Sequence, residues 1–177
     1  MMNNIELLSP AGDMECLQTA FLYGADAVYV GGPFMQLRSS KVSFDRNTLL
    51  QAVGYAHSLG RKIYLTVNCF AKNSEILPLM DYAKFLYDAD VDAVIVSDIG
   101  AISAIKKASP DLEVHVSTQA NCCNYMSVET YYNMGAKRIV LARELSLEEL
   151  TEIRRQTDIE LETFIHGALC YSYSGAC

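Results

Sequence analysis

Short apolar runs rich in β-branched residues recur along the chain, with a mean spacing of about 25 to 30 residues. Most of them are apolar at nearly every position, which is typical of parallel strands that are covered on both faces. The runs are IELLS from Ile5, AVYVGG from Ala27, KIYLTVN from Lys62, AVIVSD from Ala93, EVHVSTQ from Glu113, RIVLARE from Arg138 and LETFIHG from Leu161. We therefore predict seven β-strands.

The segments between these runs have helical periodicity and recognisable helix boundaries. Asp13 is placed to cap the first helix, which Gly24 ends. Ser146 and Glu149 have the spacing of a capping box at the start of the sixth helix. The four helices between them are predicted at Asp45–Leu59, Ser74–Tyr87, Ile99–Ala108 and Tyr125–Met134.

Seven strands that alternate with six helices indicate repeated βαβ units and a parallel sheet. The unit size favours an α/β fold that is (β/α)8 TIM-barrel-like but incomplete, with all 177 residues in one domain. A doubly wound open sheet is the alternative, although the chain has no dinucleotide-binding or P-loop motif. Because an incomplete barrel exposes a strand edge, we expect either a truncated fragment or a chain that oligomerises through that edge.

Composition and charge narrow the class of protein. Hydrophobic residues make up 51% and charged residues 20% of the chain, which is a globular composition. The net charge of -7 provides no basic surface for nucleic acid, so an RNA substrate would need basic regions elsewhere. The N-terminus lacks the pattern of a signal peptide, and no apolar run reaches about 18 residues. We expect a cytoplasmic protein with no membrane segment, in which the six cysteines do not form disulfides.

Polar residues follow the predicted strands, at the barrel end where TIM-barrel active sites lie. These residues are Ser9, Asn68, Ser97, Asp98, Gln119, Asn121, Arg143, Glu144 and His166. Arg143 is suited to bidentate binding of a carboxylate or phosphate, and a local ion pair with Glu144 is the alternative. Asp98 is also explained as a helix N-cap, and the two asparagines as partners of loop backbone. We take Gln119, Asn121, Arg143, Glu144 and His166 as candidate catalytic residues.

The other histidines have structural explanations. His115 lies inside a strand and is expected in the core, whereas His57 lies on a helix and is expected to be exposed without a role. His166 follows the seventh strand and lies close to a cysteine, which makes it the best candidate for function.

Cys170 and Cys177 differ from the other thiols because a glycine-containing loop separates them. Two thiolates at this spacing suit an iron–sulfur cluster or a zinc ion, but either needs about four ligands. A nucleophilic cysteine paired with His166 is the competing hypothesis. The adjacent pair Cys122 and Cys123 is a weaker ligand candidate, and we expect Cys16 and Cys69 to fill apolar space.

The segment ETFIHGALCYSYSGAC, from Glu162 to Cys177, resembles the signature of peptidase family U32, the collagenase-like proteases. That signature has the form E-x-F-x-x-G-[SA]-[LIVM]-C-x-x-x-x-G-x-C, followed by a short stretch that this chain does not contain. The stretches LLSPAGD, ADAVYVGG, HVSTQAN and VLARELS resemble the family as well. The resemblance covers essentially the whole chain.

The resemblance implies a role in oxygen-independent hydroxylation, since the family includes proteins that act on tRNA, on ribosomal RNA and in ubiquinone synthesis. It also implies a [4Fe–4S] cluster with four cysteine ligands, of which Cys170 and Cys177 match the first two. We expect the N-terminal part of an enzyme that hydroxylates the tRNA wobble uridine with prephenate as donor. In it, His166, Arg143 and Gln119 would position the donor.

Two other functions stay open. One is a peptidase, although the chain has neither an H-E-x-x-H zinc motif nor a G-x-S-x-G elbow. The other is an inactive fragment or accessory subunit that binds a partner through its open sheet edge.

Overall fold

The computed structural model describes residues 5–36, 44–168 and 170–176. Within these residues, strands and helices alternate along the chain as the apolar runs predict. The strands are β1 Leu8–Pro10, β2 Ala27–Gly31, β3 Lys62–Val67, β4 Ala93–Val96, β5 Glu113–Val116, β6 Arg138–Val140 and β7 Glu160–Glu162. The helices are α1 Met14–Leu22, α2 Arg46–Ser58, α3 Asn73–Asp88, α4 Ile99–Ala108, α5 Tyr125–Asn133 and α6 Leu147–Gln156, with 3₁₀ turns at Thr118–Ala120 and Ser174–Ala176.

All seven strands are parallel, and they lie in the sheet in the same order as in the sequence. This order confirms the TIM-barrel-like fold, because a doubly wound sheet would reverse its strand order. The sheet curls into a partial barrel that has β1 at one end and β7 at the other. In the described part of the chain no ladder joins these two end strands.

The main core lies between the outer face of the sheet and the helices. Leu17, Leu49 and Ile102 on the helices are fully buried, as are Val28 and Leu65 on the strands that they cover. A second, smaller cluster lies inside the curl of the sheet and consists of Ala27, Tyr64, Ala93 and Ile95. Removal of this apolar surface from water is the main stabilising term of the fold.

The helix caps predicted from the sequence are present. Asp13 accepts a hydrogen bond from the backbone of Cys16, and Asp98 accepts one from the backbone of Ala101 at 2.7 Å. Asp98 therefore has the N-cap role that its position before α4 indicates. The capping box of Ser146 and Glu149 also forms at the start of α6.

Three predictions about the fold are wrong in part. Strands β2 to β7 end earlier than their apolar runs, and the run that begins at Arg138 leaves the sheet after Val140, whereas β1 begins later than the run from Ile5 and ends at Pro10. His57 is half-buried rather than exposed, since its Nε2 lies 3.0 Å from a carboxylate oxygen of Asp92. Cys16 is exposed and does not fill apolar space.

Candidate functional site

A cavity of about 340 Å³ opens at the carboxyl ends of the strands. Residues at or just after the strand ends line it, among them Pro10, Gly31, Thr66, Ser117 and Glu162. Four predicted site residues also line the cavity, namely Gln119, Arg143, His166 and Cys170. The fold thus brings together side chains that lie far apart in the sequence.

Arg143 binds the loop that contains Cys170. Its Nη1 donates to the carbonyl of Cys170 at 2.9 Å, and its Nη2 donates to the carbonyl of Ser172 at 2.7 Å. Its Nε lies 3.2 Å from the hydroxyl of Ser174, which accepts a further bond. Three of the five N–H donors of the guanidinium therefore hold this loop over the cavity.

Glu144 fixes the same loop from the next position in the chain. Its carboxylate accepts hydrogen bonds from the backbone N–H of Ser174 at 2.9 Å and from the Ser174 hydroxyl at 3.3 Å. Burial alone would raise the pKa of Glu144, but the bonds from Ser174 lower it below its ordinary value. Arg143 and Glu144 thus both bind the cysteine loop, and among the described residues they form no ion pair with each other.

Gln119 and Asn121 lie on the turn after β5, next to the cysteine loop. The side-chain oxygen of Gln119 is buried and has no hydrogen-bond partner among the described residues. Asn121 has a left-handed backbone, with φ of 53°. A Cβ atom on Gly175 would lie 2.8 Å from the Cβ of Asn121, so a glycine is needed where the two loops meet.

His166 and Cys170 lie at the mouth of the cavity, where His166 is exposed and Cys170 is partly buried. Cys177 lies outside the described residues. Among the described residues, no group of three or more histidine, cysteine or acidic side chains is placed to hold a metal ion. Cys170 is therefore the one predicted cluster ligand whose position the structure gives.

Two other cysteines lie near the turn after β5. Cys122 is buried, and this burial raises the pKa of its thiol to about 11. Burial also raises the pKa of Cys123. Neither thiol is readily ionised, which disfavours both as nucleophiles.

The strand residues that line the cavity are here called its floor, and Glu162 at the end of β7 is one of them, although its position in the sequence did not mark it as a catalytic or binding residue. Its carboxylate lies 3.4 Å from Nη1 of Arg138 on β6, and 22% of its side chain is exposed. Burial raises the pKa of Glu162 above its ordinary value. Strand periodicity could have identified Glu162 from the sequence, because alternate residues of β7 face the inside of the barrel.

The core of the barrel contains a second polar group, His115 on β5. As predicted, His115 is buried, and burial lowers the pKa of its imidazole. Its ring meets that of Tyr64 edge to face, with 4.7 Å between the ring centroids. His115 belongs to the interior packing and does not line the cavity.

None of the described helices is both long and apolar enough to cross a lipid bilayer.

Comparison with known proteins gives relatives along nearly the whole chain. It is 44% identical over 173 residues to tRNA hydroxylation protein P of Haemophilus influenzae, which covers 97% of this chain and 38% of the relative. It is 39% identical over 175 residues to the 23S rRNA 5-hydroxycytidine C2501 synthase of Escherichia coli, covering 99% of this chain and 26% of the relative. The chain thus spans well under half the length of these curated relatives.

The fold also matches a solved structure, that of the U32 peptidase Mk0906. The TM-score is 0.72 at 20% sequence identity, over 92% of this chain and 70% of the other. The family profile described as Peptidase family U32 matches residues 12–177. This match, which covers most of the chain, shows that the chain belongs to peptidase family U32.

Proposed function

We propose that this chain is the N-terminal, barrel-forming part of an enzyme that hydroxylates pyrimidines in RNA. The observation that supports the proposal most is the identity of 39% and 44%, over nearly the whole chain, to relatives named for hydroxylation of rRNA and tRNA. The cavity at the carboxyl ends of the strands is where a barrel enzyme of this kind would bind its substrate.

The substrate we propose is the wobble uridine of tRNA, with prephenate as donor. Prephenate has two carboxylates, which suit a site with cationic donors. Arg143 retains two N–H donors beyond the three that hold the cysteine loop, and exposed His166 lies at the same mouth. Gln119 offers a buried amide oxygen on the turn beside this loop, and Asn121 and Glu144 keep the two loops in register.

The cofactor we propose is a [4Fe–4S] cluster, with Cys170 and Cys177 as two of its four ligands. Such a cluster would supply electron-transfer chemistry beside the cavity. Arg143 and Glu144 orient the loop of Cys170, so this part of the ligand set is fixed before any cluster binds. The remaining ligands would come from the part of the protein that the relatives have and this chain does not.

The acidic charge of the chain bears on how RNA would bind. A net charge of -7 opposes contact with the phosphate backbone, so this domain would supply the base pocket and other regions the phosphate contacts. We propose a cytoplasmic location, where the tRNA substrate is found.

The test is anaerobic reconstitution of the full-length protein with iron and sulfide, followed by incubation with unmodified tRNA and prephenate. We expect a nucleoside that has gained one oxygen atom, detected by mass spectrometry after digestion. Cys170→Ala should abolish both this product and the visible absorbance of the cluster. Cys16→Ala is the matched control, because Cys16 is an exposed cysteine on α1, and it should retain both.

Two results would contradict the proposal. One is an iron-loaded protein that leaves every nucleoside of the tRNA unchanged. The other is an iron-free protein that cleaves casein and loses this activity in Cys170→Ala, which would favour the peptidase.

A further inference from the structure

The cavity floor has an acidic side chain that no role described above explains. Among the described residues that line the cavity, Glu162 is the only one with a carboxylate. It is the last residue of β7 and faces the inside of the barrel, where it approaches Arg138. Glu160 lies two positions earlier on the same strand, contacts the same arginine and does not line the cavity.

Arg138 lies closer to two other carboxylates than to that of Glu162. The guanidinium lies 2.7 Å from Glu6 and 2.7 Å from Glu160, but 3.4 Å from Glu162. Other charged and titratable groups lie around Arg138 and Glu162. They are Glu6 before β1, Lys62 and Tyr64 on β3, Glu113 and His115 on β5, and Glu160 on β7. Arg143 and His166 line the cavity with Glu162. Burial raises the pKa of Glu162 above its ordinary value, which favours the neutral carboxyl group more than in an exposed glutamate.

Such a group suits the edge of a pyrimidine base. A neutral carboxyl has one O–H donor beside acceptor oxygens, and an ionised carboxylate accepts only. The base-pairing edges of uracil and cytosine each present N–H donors next to acceptors, so both match a carboxyl group. Enzymes that modify a base commonly move it out of its stack into a pocket and bind this edge. A cavity of about 340 Å³ has room for a single nucleoside.

The floor is less suited to the acidic donor. A dicarboxylate placed against ionised Glu162 would meet a like charge, whereas Arg143 and His166 provide N–H donors after the strand ends in the same cavity. The cavity therefore has two regions of different polarity. Glu162 suits a base, whereas Arg143 and His166 suit an anion.

We propose that Glu162 binds the hydrogen-bonding edge of an unpaired pyrimidine base inserted into the cavity and thereby selects that base. This inference rests on the proposed function, because it takes an RNA pyrimidine as the substrate. Glu162 contacts the substrate in this proposal, and Arg138 is the positioning residue that holds its carboxyl at the floor.

The first experiment compares Glu162→Ala and Glu162→Gln in the full-length protein, with Glu160→Gln as the matched control on the same strand. With a tRNA substrate, Glu162→Ala should raise KM by about tenfold or more while kcat changes less. Glu162→Gln should stay within about threefold of the unsubstituted protein, since its amide also has donors and an acceptor. Glu160→Gln should leave KM unchanged. A KM for a folded Glu162→Ala variant within twofold of the original value would overturn the proposal.

A second experiment changes the substrate and so does not depend on how a variant folds. An anticodon-loop RNA with 3-methyluridine at the target position lacks the N3–H donor. The unsubstituted protein should bind this RNA about tenfold more weakly than the uridine RNA. Equal binding of the two RNAs would rule out the contact.

Failure of the proposed function gives a different result from failure of this inference. If the protein hydroxylates no RNA, the proposed function is wrong, and binding of free 5-fluorouridine followed by ¹⁹F NMR still tests the pocket. A fluorine shift change that is lost in Glu162→Ala and kept in Glu160→Gln would support the base pocket. A change of equal size in both variants would contradict it.

Discussion

The guanidinium of Arg143 ties the cysteine loop to the barrel through three donors. It donates to two backbone carbonyls and one hydroxyl of that loop. A lysine has three donors on one nitrogen and lacks the planar geometry that reaches two carbonyls at once. Arg143→Lys should therefore loosen residues 170–176, with amide hydrogen exchange there faster by about tenfold or more.

Arg154 provides the matched control for this prediction. It also donates to two backbone carbonyls, those of Thr157 and Ile159, but it lies at the end of α6. Arg154→Lys should leave exchange at residues 170–176 unchanged. Equal protection of the loop in Arg143→Lys and the unsubstituted protein would show that other contacts hold it.

Sequence patterns located some site residues at this scale but not their partners. Strand ends in a barrel meet at one face, so the sequence alone was enough to place Gln119, Arg143 and His166 together. The partners of Arg143 are backbone carbonyls 27 and 29 residues away, which no side-chain pattern encodes. His57 was misjudged for the same reason, because Asp92 reaches it from a different loop.

At the scale of elements, Glu6 links three parts of the barrel at the end opposite the cavity. It precedes β1, and its carboxylate bonds Lys62 and Tyr64 on β3 and Arg138 on β6. Burial opposes the ionised form, but the bonds from Arg138, Tyr64 and Lys62 lower the pKa of Glu6 to about 2. The ionised carboxylate therefore stabilises the fold above the ordinary pKa of 4.5, and this contribution is lost as the pH falls toward 2.

The test is unfolding in urea between pH 7 and pH 2.5 for the unsubstituted chain and Glu6→Gln. The unsubstituted chain should lose up to about 3 kcal/mol of unfolding free energy more than the variant over this range. Glu129→Gln, at an exposed position on α5, should follow the unsubstituted chain. Parallel pH curves for Glu6→Gln and the unsubstituted chain would contradict a stabilising role of ionised Glu6.

Helix positions could be predicted from local sequence signals such as N-cap residues and prolines, whereas strand ends could not. Helix α4 forms at Ile99–Ala108 as predicted, because Asp98 caps its start and Pro110 follows its end. The ends of β2 to β7 come earlier than their runs predict, since residues such as Leu141 and Ala142 extend the apolar run of β6 without joining its ladder with β7. Pairing depends on the neighbouring strand, and the sequence of one run does not determine where that neighbour stops.

At the scale of the whole molecule, the curled sheet ends at β1 and β7, and these end strands can pair with another chain. We therefore predict that the chain self-associates through a sheet edge. Ile5 and Leu7, next to β1, have 93% and 43% of their surface exposed. Exposed apolar residues beside an end strand favour pairing with a second copy. The net charge of -7 on every copy opposes that pairing at low salt.

Light scattering of the 177-residue chain should therefore give an average mass above 19.6 kDa that rises with concentration and with salt. Salt of about 0.5 M reduces the range of the repulsion to a few ångströms, so the increase should be largest there. Ile5→Lys adds a charge at the exposed edge and should return the chain to a monomer. Leu77→Lys, at a position 73% exposed on α3, should associate as the unsubstituted chain does. A mass of 19.6 kDa at every concentration and salt would show instead that the short end strands do not pair between copies.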